Sequence, residues 1–190
     1  MDHKKAAEIL RDTASVRLSG TEEERRCAVH LVDLCRELGL QARMEQFPVT
    51  MYHVERESLT VGGEGIACRA YYGCGNAAVR ARLFYLTGSD PVGLEQCSGA
   101  IVLLDGAMSR DRYDLLVENG AKGFITYSGT PHLHDRDIDR KWMDFEPGPG
   151  RAIPGVNIHA CDAVRLSELV DEEVEINFAL RPVVGQSCNV

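Results

Sequence analysis

Imidazole and carboxylate crowd together in one stretch of this chain, His132-Leu-His-Asp-Arg-Asp-Ile-Asp139. His132, His134 and Asp135 offer nitrogen and oxygen donors of the kind that hold a divalent metal. Arg136, Arg140 and Lys141 interleave with these acids, so the local charge is nearly balanced. A solvated loop with surface ion pairs explains the same composition, and that reading outweighs a metal site. Ten residues on, Trp142 and Phe145 lie three apart, and Trp142 is the only tryptophan in the chain. Two readings stay open for this pair. It is either a candidate contact loop that meets a partner, or a pair of rings folded back onto the domain.

Other reactive types give weaker signals. The seven cysteines are Cys27, Cys35, Cys68, Cys74, Cys97, Cys161 and Cys188, with no C-x-x-C pair among them. Structural zinc sites favour close pairs, so these read as free thiols packed like small apolar groups. Cys27 and Cys35 fall on one helix face. A catalytic cysteine would need a base beside it, which the sequence does not suggest. Tyr72-Gly-Cys-Gly-Asn76 is a fragment of a glycine-rich loop without the Lys-Ser/Thr that completes a phosphate cradle, so Gly62, Gly63, Gly73 and Gly75 read as turn residues. Asp105-Gly106 ends a strand, where open α/β sheets often bind ligands, but a turn suffices. Ser109 is an expected helix cap and no anion site. Ser19, Ser98 and Ser128 lack a nucleophile-elbow setting.

The elements that would position these groups follow from periodicity. Apolar residues at spacings of three and four predict a helix over 3–16. Thr21 to Glu24 has the form of a capping box, with the stripe Ala28, Leu31, Val32, Cys35 and Leu38 behind it and Gly39 as the stop. From residue 41 the period becomes two, through Phe47, Val49, Met51 and His53. A hairpin is expected from 58–61, across Gly62-Gly63, to 66–68. A strand is expected over 79–86. A βαβ unit follows: Gly99 to Leu104, a helix from Ser109 to Asn119 with Tyr113, Leu116 and Val117 inward, then Gly123 to Tyr127. Residues 129–152 form a long polar loop, and loops of that length are usually functional or mobile. A strand begins at Ile153, Asp162 caps a short helix to Leu169, and 174–180 is a final strand. Gly185 to Val190 reads as a turn leading into a strand, and the expectation is a cut at a domain boundary.

Composition narrows the function classes. The 190 residues are 44% hydrophobic and 26% charged, which suits a folded domain with at most a small appendage. A net charge of −8 argues against a nucleic-acid partner. No apolar run is long enough to span a bilayer, so no membrane partner is expected. The first twelve residues lack the apolar segment of a secretory signal, and the expected location is cytoplasmic.

Arg17-Leu-Ser-Gly-Thr-Glu-Glu23, followed by a helix ending at Leu38-Gly39, resembles the N-terminal segment of co-catalytic zinc aminopeptidases, metallopeptidase family 28. Gly99-Ala-Ile-Val-Leu-Leu-Asp-Gly106, Asn119-Gly-Ala-Lys-Gly-Phe-Ile-Thr-Tyr127 and Ile153-Pro154-Gly155-Val156 are similar to the protease-associated domain inserted in many of those enzymes. Ser187-Cys-Asn-Val190 resembles the point where the chain returns to the peptidase core.

The resemblance implies an α+β, or mixed α/β, fold. Residues 1–42 would belong to the peptidase core, 43–184 would form the protease-associated domain, and 185–190 would begin the return. The family uses two zinc ions, with a glutamate as general base on metal-bound water that attacks the peptide carbonyl. Neither its His-x-Asp motif nor its Glu-Glu pair is matched here. His30 with Asp33, His53 with Glu55, and His134 with Asp135 and Asp137 have the wrong neighbours, and Glu22-Glu23-Glu24 is explained by capping.

The implied chain is therefore non-catalytic and holds no cofactor of its own, the two zinc ions belonging to the parent enzyme. It would act as a lid, a substrate-access wall or an assembly surface. Its partners would be the missing peptidase domain, the parent's peptide substrate and, through the uncovered helix stripe, a second copy. Two rivals stand beside it: a stand-alone peptide- or protein-binding module, and a small enzyme using a cysteine or the His132/His134 loop.

Overall fold

Continuous apolar runs bounded by glycine build the centre of this protein. Its structure is a computed structural model that describes residues 3–74, 76–88, 90–132 and 138–190. Ala100–Leu104 (β5) and Gly155–His159 (β7) are buried along their whole lengths, and Gly123–Ser128 (β6) is buried over its first four residues. Strands buried on both faces need parallel neighbours covered by helices, and β4, β5, β6 and β7 pair in parallel in that order, with β4 spanning Ala77–Leu86. Between β5 and β6 runs α4, Arg110–Glu118, capped by Ser109, whose hydroxyl accepts from the Arg112 amide at 3.4 Å. Tyr113 and Leu116 turn inward as expected, while Val117 is only half-buried.

The described residues form a mixed α+β fold with five helices and eight strands; with β1 spanning Glu45–Val61 and β8 Glu173–Asn189, the strand order is β2-β1-β8-β4-β5-β6-β7-β3. The two edge strands, β2 (Glu64–Ile66) and β3 (Cys68–Ala70), are separated by Ala67 alone, so the sheet curls into a nearly closed barrel. The hairpin across Gly62-Gly63 is present, with both glycines at positive φ as the tight two-residue turn requires. Its second strand ends at Ile66. Cys68 instead starts β3, which pairs antiparallel with β7, so the expected span of 66–68 was too long.

Contacts divide the chain into two compact units, residues 1–53 with 182–190, and residues 54–181. In the first, α1 covers His3–Thr13 and stops three residues short of the expected end. Helix α2, Glu22–Glu37, is capped by Thr21, and Gly39 at φ +78° closes it in a Schellman motif, with Leu40 and Gly39 donating to Cys35 and Arg36. The capping box differs in one arm: Glu24 reaches the Gly20 amide at 2.7 Å, and its other oxygen accepts from the Ser187 hydroxyl at 2.6 Å. Ala28 and Val32 are buried, whereas Leu38 is exposed and Cys27 and Cys35 are half-buried.

One expectation about the C-terminal strand fails. β1 (Glu45–Val61) and β8 (Glu173–Asn189) are each 17 residues long and continuous. The expected turn at Gly185 is therefore strand. A Cβ at Gly185 would lie 2.3 Å from the Met51 sulfur, so this glycine serves close approach rather than reversal. Beyond Ile158 the chain turns into α5, Ala160–Ser167, whose cap is His159 rather than Asp162: its Nδ1 accepts from the Cys161 amide at 3.1 Å. A short helix that periodicity did not show, α3, Pro91–Glu95, follows Asp90. No described helix is long and apolar enough to cross a membrane.

Candidate functional site

The described part of the long loop, residues 138–152, is fastened to the barrel at several points. A buried polar chain starts inside, where the Tyr71 hydroxyl lies 2.6 Å from the Thr126 hydroxyl, which donates to Asn157 at 2.8 Å. The Asn157 amide then donates to Ser128 at 2.8 Å and to the loop carbonyl of Asp139 at 2.9 Å. Next along the loop, Arg140 grips both carboxylate oxygens of Glu57 at 2.7 and 2.9 Å and also donates to the Ala70 carbonyl at 3.2 Å. Tyr72 and Trp142 form an isolated bridge: the Tyr72 amide donates to Lys141 and the Met143 amide to Tyr72, both at 3.0 Å. Met143 is buried against Gly73 and Cys74. Phe145 packs edge-on against Tyr113, with the Arg110 guanidinium 4.9 Å over its ring. Tyr113 finally accepts from the Ile153 amide at 2.8 Å.

Glu57 is the hub of this arrangement. It stands on β1 and also accepts from the Ala70 amide at 2.9 Å and from Arg69 at 3.0 Å, both on β3, so side-chain bonds link two strands that are not neighbours in the sheet. The Glu57 and Arg140 side chains are only 12% and 17% exposed. Burial by itself disfavours the Glu57 carboxylate, but the bonds from Arg140 and the Ala70 amide and the nearby positive charges outweigh it, and its pKa is lowered from the ordinary value. Arg140 also lies 5.1 Å over the Tyr72 ring. Neither Glu57 nor Asn157 is marked by any local motif, because their partners are 83 and 18 residues away in sequence.

The residues singled out from sequence fall as follows. His132 sits on an exposed turn. His134 and Asp135 lie outside the described residues. Among the described residues, no group of three or more His, Cys, Asp and Glu is placed to hold a metal ion. Phe145 folds back onto Tyr113, whereas Trp142 remains 53% exposed, edge-on to Tyr72 at 5.6 Å.

Burial pushes the Cys74 thiol up to about 12, and burial with the Glu57 charge does the same for Cys68. Both oppose thiolate chemistry. Ser128 accepts from Asn157 in a structural role. Asp105 pairs with Arg112 at 3.2 Å beside a cleft of about 300 Å³ walled by leucines including Leu86, Leu94 and Leu104. The strands β4 to β7 follow one another without reversal, so this cleft is not at a topological switch point.

No protein-family model matches the chain, and no curated protein matches it. Solved structures do. The chain is similar to a zinc aminopeptidase from Bacillus subtilis, with a TM-score of 0.67 and 18% identity over 96% of this chain and 45% of that one. It is similar to an aminopeptidase from Aneurinibacillus sp. strain AM-1, with a TM-score of 0.59 and 20% identity over 96% and 45%. A peptidase M28 precursor from Shewanella amazonensis SB2B gives a TM-score of 0.66 and 18% identity over 96% and 48%. At this identity the likeness is one of fold, and the chain spans less than half the length of each of these proteins.

Proposed function

We propose that this chain is the non-catalytic, protease-associated portion of a zinc-dependent aminopeptidase-like hydrolase, serving as lid, substrate-access wall or assembly surface. The observation that carries the reading is the fold shared over 96% of this chain with only 45% of a zinc aminopeptidase. The remaining length of such an enzyme is where a peptidase core would be found. No step of hydrolysis is assigned to the described side chains.

The surface of the first unit supports the same reading. Ten of the fourteen exposed large hydrophobic residues among the described ones lie in that unit, although it holds only about a third of the chain. Leu10, Val16, Leu40 and Val184 are 58–83% exposed, and α1 buries no residue at all. Apolar surface concentrated in this way marks a place where another folded surface packs. The proposed occupant is the peptidase core. In the isolated chain the same surface drives self-association.

The test compares the 190-residue chain with the longer product of its source reading frame, using an aminoacyl chromogenic substrate and added zinc. The expected result is hydrolysis by the longer protein alone, with its substrate range or assembly altered when residues 54–181 are removed. Zinc-dependent turnover by the pure 190-residue chain would refute the non-catalytic role. A longer protein unaffected by the removal would refute the lid, access and assembly roles.

A further inference from the structure

A half-open cavity of about 270 Å³ lies where β4 and β6 end. Tyr85 and Tyr127 each stand one residue before the end of their strand and give the cavity two phenol rings. A second wall is one face of α5, where Ala160, Ala163, Val164 and Ser167 recur at helical spacing. The third wall is the backbone turn from Gly129 to Pro131. It is tied to α5, because the Cys161 thiol donates to the Pro131 carbonyl at 3.3 Å. Gly129 takes φ +82°, and a Cβ there would meet His159 Nε2 at 2.9 Å, so this wall also lies tight against the cap of α5.

The chemistry of these walls is narrow. No described residue lining the cavity is charged, in a chain with a net charge of −8. The Ser167 hydroxyl is spent on the Val164 carbonyl at 2.7 Å. The Tyr85 and Tyr127 hydroxyls are within hydrogen-bonding reach of each other, and neither has another described hydrogen-bond partner. A bond between them uses one of their two O–H protons and leaves the other free to donate. Burial, with Tyr85 and Asp105 nearby, raises the Tyr127 phenol from its ordinary value, so it stays a neutral O–H at neutral pH.

We propose that this cavity binds a proline ring of an extended polypeptide, with a tyrosine hydroxyl donating to the peptide carbonyl beside it. The volume is at the lower end of ligand sites, which suits one small ring and not a large cofactor. Uncharged walls reject a charged side chain, which would lose water and gain no partner. A proline ring is apolar and has no amide N–H to satisfy, and the carbonyl preceding it accepts the free phenol proton. Aromatic-lined grooves take proline-rich segments because the extended helix is already formed before binding. The site lies wholly within residues 54–181 and its test reads binding, so its failure leaves the hydrolase reading standing.

The probe is a capped Ala-Pro-Ala-Pro-Ala peptide, titrated into the 190-residue chain beside capped penta-alanine and followed by amide NMR shifts. The expected result is a saturable shift at Gly129, Thr130 and Ala163 with the proline peptide only. Its affinity should change less than about twofold between roughly 0.05 and 0.5 M salt, because no charge pair is formed. The double variant Tyr85→Phe, Tyr127→Phe keeps both rings and should weaken binding roughly three- to tenfold, the scale of one hydrogen bond. Val164 is 52% exposed, so Val164→Lys leaves the fold intact while placing a charge at the uncharged mouth, and it should abolish binding at an unchanged melting temperature. Equal binding of penta-alanine, shifts that map away from these residues, no saturable shift at millimolar proline peptide, or full affinity in Val164→Lys overturns the proposal.

Discussion

Replacing Glu57 by glutamine keeps the shape of the side chain and removes its charge, which isolates what the latch contributes. In the native protein the carboxylate receives two bonds from Arg140, one from the Ala70 amide and one from Arg69. Glutamine can accept with one oxygen only, and Arg140, 17% exposed, is left against a neutral partner. Breaking a fully buried pair costs about 3–5 kcal/mol, and an exposed one less than about 1. These side chains lie near the buried limit but keep some contact with water and one bond survives, so Glu57→Gln should cost about 2–3 kcal/mol at pH 7.

Arg140→Met should cost less, about 1–2 kcal/mol, because Glu57 keeps Arg69 and the Ala70 amide. The double variant should show coupling of about 1–2 kcal/mol. Urea unfolding followed by Trp142 fluorescence measures all three, since Trp142 bridges to Tyr72 within the same unit.

The pH dependence gives an independent check. The folded pKa of Glu57 lies below its ordinary 4.5, so its contribution is complete above that value and is lost as pH falls through the folded one. The gap between wild type and Glu57→Gln should therefore close in acid, where both side chains are neutral. A gap under about 0.5 kcal/mol at pH 7, or one unchanged after Glu57 is protonated, would refute the latch as a charge-dependent device.

Two further outcomes follow from burial. A Cβ at Gly155 would stand 2.0 Å from the buried Phe124 ring, so Gly155→Ala should destabilise the barrel by roughly 3 kcal/mol or prevent folding; a melting temperature within a few degrees of wild type would contradict it. In the folded protein a thiol reagent at pH 8 should label the half-buried Cys27, Cys35, Cys161 and Cys188 first, and Cys68, Cys74 and Cys97 only on unfolding; mass spectrometry showing prompt modification of Cys74 would be the contrary result.

Local rules carry much of this protein. The βαβ unit, the Thr21 and Ser109 caps, the Gly39 stop and the Gly62-Gly63 turn are decided within a few residues by period, side-chain oxygen and permitted φ, and each was readable from sequence. The chain also showed that Trp142 and Phe145 were worth attention, though not that one would stay exposed while the other folded back. Tertiary structure decided what depends on distant partners. Gly185 is strand because Met51 lies against it, and Cys68 leaves the hairpin because β7 pairs with β3.

His159 shows the same limit, since a histidine is an uncommon cap and Asp162 was the better local candidate. The loop of 138–152 is held by Glu57, Tyr72 and Asn157, none of which lies within its own span. Periodicity reads a residue's neighbours along the chain. A buried ion pair joining residues 57 and 140 exists only once the barrel has brought them together.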